Sequence, residues 1–266
     1  MIGSRAARSG PCRGLVTVAL WGAIGASGVP AQSGETLPKD RGSAPTLTEL
    51  QRGYVAMDEG DFERAFEHYR NALESSSTSE LRFQSLFGLG SASAALERFE
   101  EGAKYLEQAL QIRPGHAEAL YAMGLVNKGL RRFEAAAANF AEAAVRDPGL
   151  EPALVELGTV YAVLGRHQES ADACWRAVAL APENRDALLC LGVAQYHREL
   201  YSEAEAAFEA VVELDPDNAR AFYGLGLARL YQENLEGAAA AYTALKGLDF
   251  KLARDLFGRL YPPEGP

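Results

Sequence analysis

Four histidines, two downstream cysteines and a surplus of carboxylates are the side chains in this sequence that could do chemistry. His68, His116, His167 and His197 come first, because imidazole titrates near neutrality and ligates metals through nitrogen. A metal site needs several such ligands at close spacing, usually with a cysteine or carboxylate among them. No pair of these histidines has that arrangement, so the sequence predicts histidines that pack or face water. No GxxxxGK phosphate loop and no GxSxG nucleophile elbow is present. Gly22, Gly25 and Gly28 imitate a nucleotide fingerprint, but no strand precedes them. The many glutamates read as solvated faces. The expectation is a chain that catalyses nothing and holds neither metal nor cofactor.

What positions these side chains is a repeat. Gly90, Gly124, Gly158, Gly192 and Gly226 are each 34 residues apart, and Pro114, Pro148, Pro182 and Pro216 keep the same spacing. Two ladders at one period mark a stacked array rather than a single-core globule. Residues 117–150 are the plainest copy. Leu120, Tyr121 and Met123 beside Gly124 give one helical apolar stripe, residues 129–132 a turn, and Phe133, Ala136, Ala137, Phe140, Ala143 and Ala144 a second stripe. Asp147-Pro148 stops the second helix, since proline disfavours helical geometry in the residue before it. Neither helix hides its apolar face alone, so neighbouring copies must stack.

Six units follow from this period, 46–79, 83–116, 117–150, 151–184, 185–218 and 219–252, with an insertion at Glu80 to Arg82. Numbered 1–34, position 8 is Gly53, Gly90, Gly124, Gly158, Gly192 and Gly226; position 20 is Ala65, Gly102, Ala136, Ser170, Ala204 and Ala238. A mid-helix glycine costs roughly 1 kcal/mol against alanine, so its recurrence implies a close helix crossing. Position 17 opens each second helix with Phe62, Phe99, Phe133, His167, Tyr201 or Leu235, read as filling between helices.

Leucine or phenylalanine at position 4, Leu-Gly or Met-Gly at 7–8, a small residue at 20, Tyr69, Phe140, Phe208 or Tyr242 at 24 and proline at 32 resemble the tetratricopeptide repeat. The resemblance covers residues 46–252. It departs at Leu86, Leu120, Leu154, Leu188 and Phe222, where the family usually has tryptophan, and at Arg52, Ser77 and Phe250 in the terminal copies. It implies an all-α solenoid of about six helix-turn-helix repeats in a right-handed superhelix. Residues 253–266 are left as a capping helix and tail, with Leu252, Leu256, Phe257 and Leu260 expected on one covering face.

The first 45 residues differ in kind. Arg5, Arg8 and Arg13 precede an uncharged stretch containing Leu15, Val16, Val18, Leu20, Trp21 and Ile24, followed by Val29-Pro30-Ala31. Residues 1–31 thus read as a secretory signal peptide, and 32–45, with two prolines and two glycines, as a flexible linker. The expected location is the periplasm or another exported compartment of a cell envelope. An uncleaved segment 14–31 would instead anchor the chain in the inner membrane. The net charge is −10, and removing those three arginines with the leader takes it to −13. Such an acidic chain repels phosphate backbones and anionic lipid, which argues against nucleic acid or direct membrane binding.

An oxidising compartment leaves two readings for Cys174 at position 24 and Cys190 at position 6: a disulfide, or a small core residue with a neighbouring thiol. Position 24 is expected to point into the stack rather than toward position 6.

The resemblance further implies a concave groove lined by positions 2, 5, 9, 12 and 13 of the first helices. Here those positions supply Tyr54, Met57, Phe87, Tyr121, Leu125 and Lys128 in the earlier repeats, and Val155, Leu189, Val193, Tyr196 and His197 after them. Tyr223, Leu227, Leu230 and Tyr231 complete the set. So apolar and aromatic a lining fits a protein or peptide partner. The basic and asparagine clamp by which some relatives hold a C-terminal carboxylate is replaced by Phe87, Ser91, Tyr121, Ala122 and Leu125. The leading expectation is a non-catalytic scaffold or adaptor binding a protein segment. The alternatives are a solenoid for a small ligand, such as a cell-wall fragment or lipid, and a membrane-anchored assembly factor.

Overall fold

The computed structural model describes residues 44–262. The segments expected as leader and linker, up to residue 43, and the last four residues lie outside the described part. Among the described residues there are thirteen α-helices and no strand. They fall into two compact units divided between Pro152 and Ala153.

The first unit holds α1 (Ala44–Asp58), α2 (Phe62–Glu74), α3 (Ser79–Ala95), α4 (Phe99–Ile112), α5 (Ala117–Gly129) and α6 (Phe133–Arg146). The second holds nearly all of α7 (Glu151–Val163), then α8 (His167–Leu180), α9 (Arg185–His197), α10 (Tyr201–Leu214), α11 (Ala219–Tyr231), α12 (Leu235–Leu248) and α13 (Phe250–Leu260). From α1 to α6 and from α8 to α13, each helix packs on the next; alternate first helices α1, α3 and α5, and likewise α9, α11 and α13, also touch in turn. This is solenoid packing within each unit. The insertion at 80–82 lengthens α3 to 17 residues, and Thr78 caps its start by accepting from the Leu81 amide.

The turn inside each repeat is fixed by one left-handed residue at position 15: Gly60, Glu97, Arg131, Gly165, Glu199 and Glu233, with φ between 59° and 73°. Next to it, an amide reaches back five residues to close the first helix, as from Arg98 to the Ser93 carbonyl and from Arg132 to that of Asn127, both 2.8 Å. Only Gly60 and Gly165 take this geometry without a side-chain penalty. Asn184 and Asn218 cap the starts of α9 and α11 through their side-chain oxygens.

The periodic glycines have a structural cause. A Cβ on Gly124 would lie 2.5 Å from the Phe140 ring, and one on Gly192 2.7 Å from Phe208. Position 8 is therefore the floor on which the position-24 side chain of the same repeat rests. Position 20 packs beside it: Ala65, Ala136, Ala204 and Ala238 are fully buried, and Ser170 donates to the Gly158 carbonyl at 2.7 Å.

One expectation about the end helix needs correction. Leu256 is fully buried and Leu252 and Leu260 are half-buried, but Phe257 points away and is 44% exposed. Leu256 takes the floor at Gly226, and Tyr242, half-buried against the same cluster, meets Phe257 with ring centres 5.4 Å apart.

Candidate partner-binding surface

The residues expected to line a groove are placed differently in the two units. In the first, Met57, Phe87, Tyr121 and Leu125 are buried, while Tyr54 and Lys128 are half-buried. Phe87 stacks parallel to Phe83, and the His116 ring lies against both, 5.6 and 4.7 Å away. His116 also caps α5 by accepting from the Ala119 amide, and burial holds its imidazole below the ordinary value. Tyr54 meets Tyr69 edge-on, and burial, followed by the Glu80 charge, raises its phenol.

In the second unit Leu189 and Leu227 are buried, and Val155, Val193, Tyr196, Tyr223 and Leu230 are half-buried. His197 is exposed, and Tyr231 is 50% exposed. Three of these residues form a continuous cluster of rings with two that the groove positions do not include. Tyr196 lies edge-on to both His197 and Tyr231, at 5.4 and 5.7 Å. Tyr201 stacks on Tyr231 at 5.2 Å, and His167 stacks on His197 at 4.7 Å. Burial, then the neighbouring Tyr231 phenol, raises Tyr196 well above the ordinary tyrosine value. Packing of its ring, then the proximity of His167, keeps His197 below the ordinary imidazole value.

Tyr201 and His167 were legible only as position-17 fillers. The signal that would have found them is a spacing of 30 residues: position 17 of one repeat meets position 13 of the next. Phe99 against Gly129, His167 against His197 and Tyr201 against Tyr231 all obey it.

The cluster has a polar frame. The Tyr223 hydroxyl donates to Asp255, which also accepts from Arg259 Nε at 2.8 Å. These two hydrogen bonds, that from Tyr223 the stronger, lower the Asp255 carboxyl. On the adjoining face, Arg229 donates to Glu205 at 2.6 Å and to Glu209 at 2.5 Å, and Gln232 donates to Glu205 at 2.7 Å. Burial pushes the Glu205 carboxyl up, but these partners bring it below the usual carboxylate value. The carboxylates and guanidinium groups of this frame are paired within the chain, whereas the buried Nδ1 of His167 makes no hydrogen bond among the described residues. Such a surface can grip apolar and aromatic side chains.

Cys174 and Cys190 are joined by a disulfide, with Cα atoms 5.6 Å apart. Position 24 does point into the stack, but the same direction brings it to position 6 of the next repeat. Among the described residues no group of three or more metal-ligating side chains is present, and no helix is long and apolar enough to cross a membrane.

The family model of the tetratricopeptide repeat matches residues 50–117, 121–185, 175–217 and 191–253. The chain belongs to the tetratricopeptide repeat family. No curated protein sequence matches this repeat chain. Solved structures agree in fold. The pilF protein of Pseudomonas aeruginosa is 17% identical, covering 82% of this chain and 99% of its own, at a TM-score of 0.71. PilW, described as a widely conserved type IV pilus biogenesis factor, is 18% identical over 81% of this chain and 98% of its own, at 0.69. YrrB, described as having an unusual peptide-binding site, is 24% identical over 70% of this chain and 96% of its own, at 0.61. At these identities the likeness concerns the fold alone.

Proposed function

We propose that this tetratricopeptide repeat chain is an exported, non-catalytic scaffold that holds a segment of a protein partner on the aromatic surface of its second unit. The observation that carries the reading is the half-exposed cluster of Tyr196, His197, Tyr201 and Tyr231, whose rings support one another and leave Tyr231 half open to solvent. Tyrosines give large contact area at small conformational cost, which makes them efficient anchors for a peptide. Export is supported by the leader-like residues 1–31 and by the Cys174–Cys190 bridge, since disulfides persist in oxidising compartments. A place in a cell-envelope assembly is in keeping with the fold shared with PilW, and peptide binding with that shared with YrrB.

The test is photocrosslinking from a reactive amino acid at position 231 in the native envelope, followed by identification of the attached protein. Binding of that protein is then compared between the wild type and Tyr196→Ala with Tyr231→Ala. A loss of at least tenfold with unchanged helicity is expected, given that about 1.4 kcal/mol is tenfold and aromatic anchors exceed it. Undiminished binding by the double variant removes this surface as the site.

A further inference from the structure

The end helix α13 stands where the first helix of a seventh repeat would stand, and no second helix packs on it among the described residues. In repeat five, Cys190 reaches back to Gly158, and Gly192 follows two residues later as the floor for Phe208. In α13, Leu256 reaches back to Gly226, and Gly258 follows two residues later. Phe257-Gly258 thus occupies the place of Leu191-Gly192, although the spacing from Gly226 to Gly258 is 32 rather than 34 residues. The difference lies in what covers the glycine. At Gly53, Gly90, Gly124, Gly158 and Gly192, the position-24 side chain of the same repeat's second helix lies within 3 Å of where a Cβ would sit. At Gly258 nothing lies within 4 Å of that point.

The uncovered face is a helical stripe. Phe250, Arg254 and Phe257 recur at four- and three-residue steps, with Tyr261 next along, its ring 4.9 Å from Phe257. Phe250, Phe257 and Tyr261 are 75%, 44% and 55% exposed. Lys251 and Arg254 are exposed, and neither forms an ion pair with a described residue. On an acidic protein, this is an aromatic stripe edged with unspent positive charge.

We infer that this face docks an acidic amphipathic helix of a protein partner, which takes in trans the place that a second helix holds in the other repeats. Its apolar side would carry one large residue over Gly258, flanked by small residues four before and three after, and its carboxylates would meet Lys251 and Arg254. The chain's own second helices show the pattern. The segment Tyr201–Leu214 sets Phe208 between Ala204 and Val211 and carries four glutamates, Glu203, Glu205, Glu209 and Glu213. Charge of opposite sign speeds and registers such pairing.

A fluorescent, side-chain-stapled peptide with the sequence of residues 201–214 is the probe, titrated by anisotropy against the whole chain; stapling is needed because so short a helix is marginal alone. Saturable binding is expected, weakened about tenfold or more by Phe208→Ala in the peptide or by Phe257→Ala in the protein. Gly258→Leu should abolish binding while leaving the melting temperature unchanged or raised, because its side chain enters open space. Arg254→Glu should weaken binding and flatten its salt dependence. No saturable binding, or equal binding by Gly258→Leu, overturns the inference. So does concentration-dependent self-association that Gly258→Leu removes, since the face would then belong to a second copy. The Tyr196 and Tyr231 variants should bind the probe normally, which separates this site from the aromatic surface.

Discussion

Cys174 and Cys190 hold the relation that Phe208 and Gly224 hold one repeat later. In both pairs a position-24 side chain rests on the position-8 glycine of its own repeat and touches position 6 of the next. Tyr69 does the same between Gly53 and Gly88. The disulfide therefore fills the volume that an aromatic ring fills elsewhere and adds a covalent link between α8 and α9.

A thiol count under denaturing, non-reducing conditions should find one reactive cysteine in the full chain, Cys12, instead of three. Reduction should lower stability by about 2–4 kcal/mol, the range for so short a closed loop. Cys174→Phe with Cys190→Gly should recover much of that loss without a bridge, because it rebuilds the Phe208–Gly224 pair. Cys174→Phe alone should be worse than reduction. Urea unfolding of the variants checks both expectations.

The two classes of glycine should respond oppositely to a methyl group. Gly192→Ala places a Cβ 2.7 Å from the Phe208 ring and should cost about 1–3 kcal/mol. Gly258→Ala enters open space and should stabilise by up to about 1 kcal/mol through helix propensity. Equal effects in urea melts would remove the proposed role of position 8 as a packing floor.

The orientation of α13 can be read from two neighbours. Leu256→Ala should cost about 2–4 kcal/mol, since Leu256 is fully buried on Gly226, whereas Phe257→Ala should cost less than about 1 kcal/mol. Deletion from Phe250 onward should uncover Leu245 and Ala241, lower the melting temperature and produce aggregates in size-exclusion chromatography.

Acid should weaken the fold through histidine. His116 and His197 are both held below the ordinary imidazole value of 6.5, so the folded state favours their neutral forms. The unfolded chain takes up protons first as pH falls through 6.5, and stability present above that pH declines below it. His197→Gln should leave a smaller drop in urea midpoint between pH 7.5 and 5.5 than the wild type shows.

Much of this was legible beforehand, and for definite reasons. The ladders of Gly90 to Gly226 and Pro114 to Pro216 fixed paired helices, their turns and the family, because each sits where one atom too many or one amide too few changes the backbone. The same periodicity contained the 30-residue relation that joins Tyr201 to Tyr231, but only contact distances show that it is a contact. Which of the expected groove positions stay open to solvent was not legible. Tyr121 and Tyr223 hold the same position 5 of their repeats, yet one is fully buried and the other only half-buried. The sequence by itself determined local structure and the register of packing, since both depend on neighbours at fixed spacing. Tertiary structure alone decided which rings meet water, that Cys174 faces Cys190, and that Phe257 looks outward. Those outcomes depend on the direction of each side chain against the next helix, and a 34-residue period does not contain it.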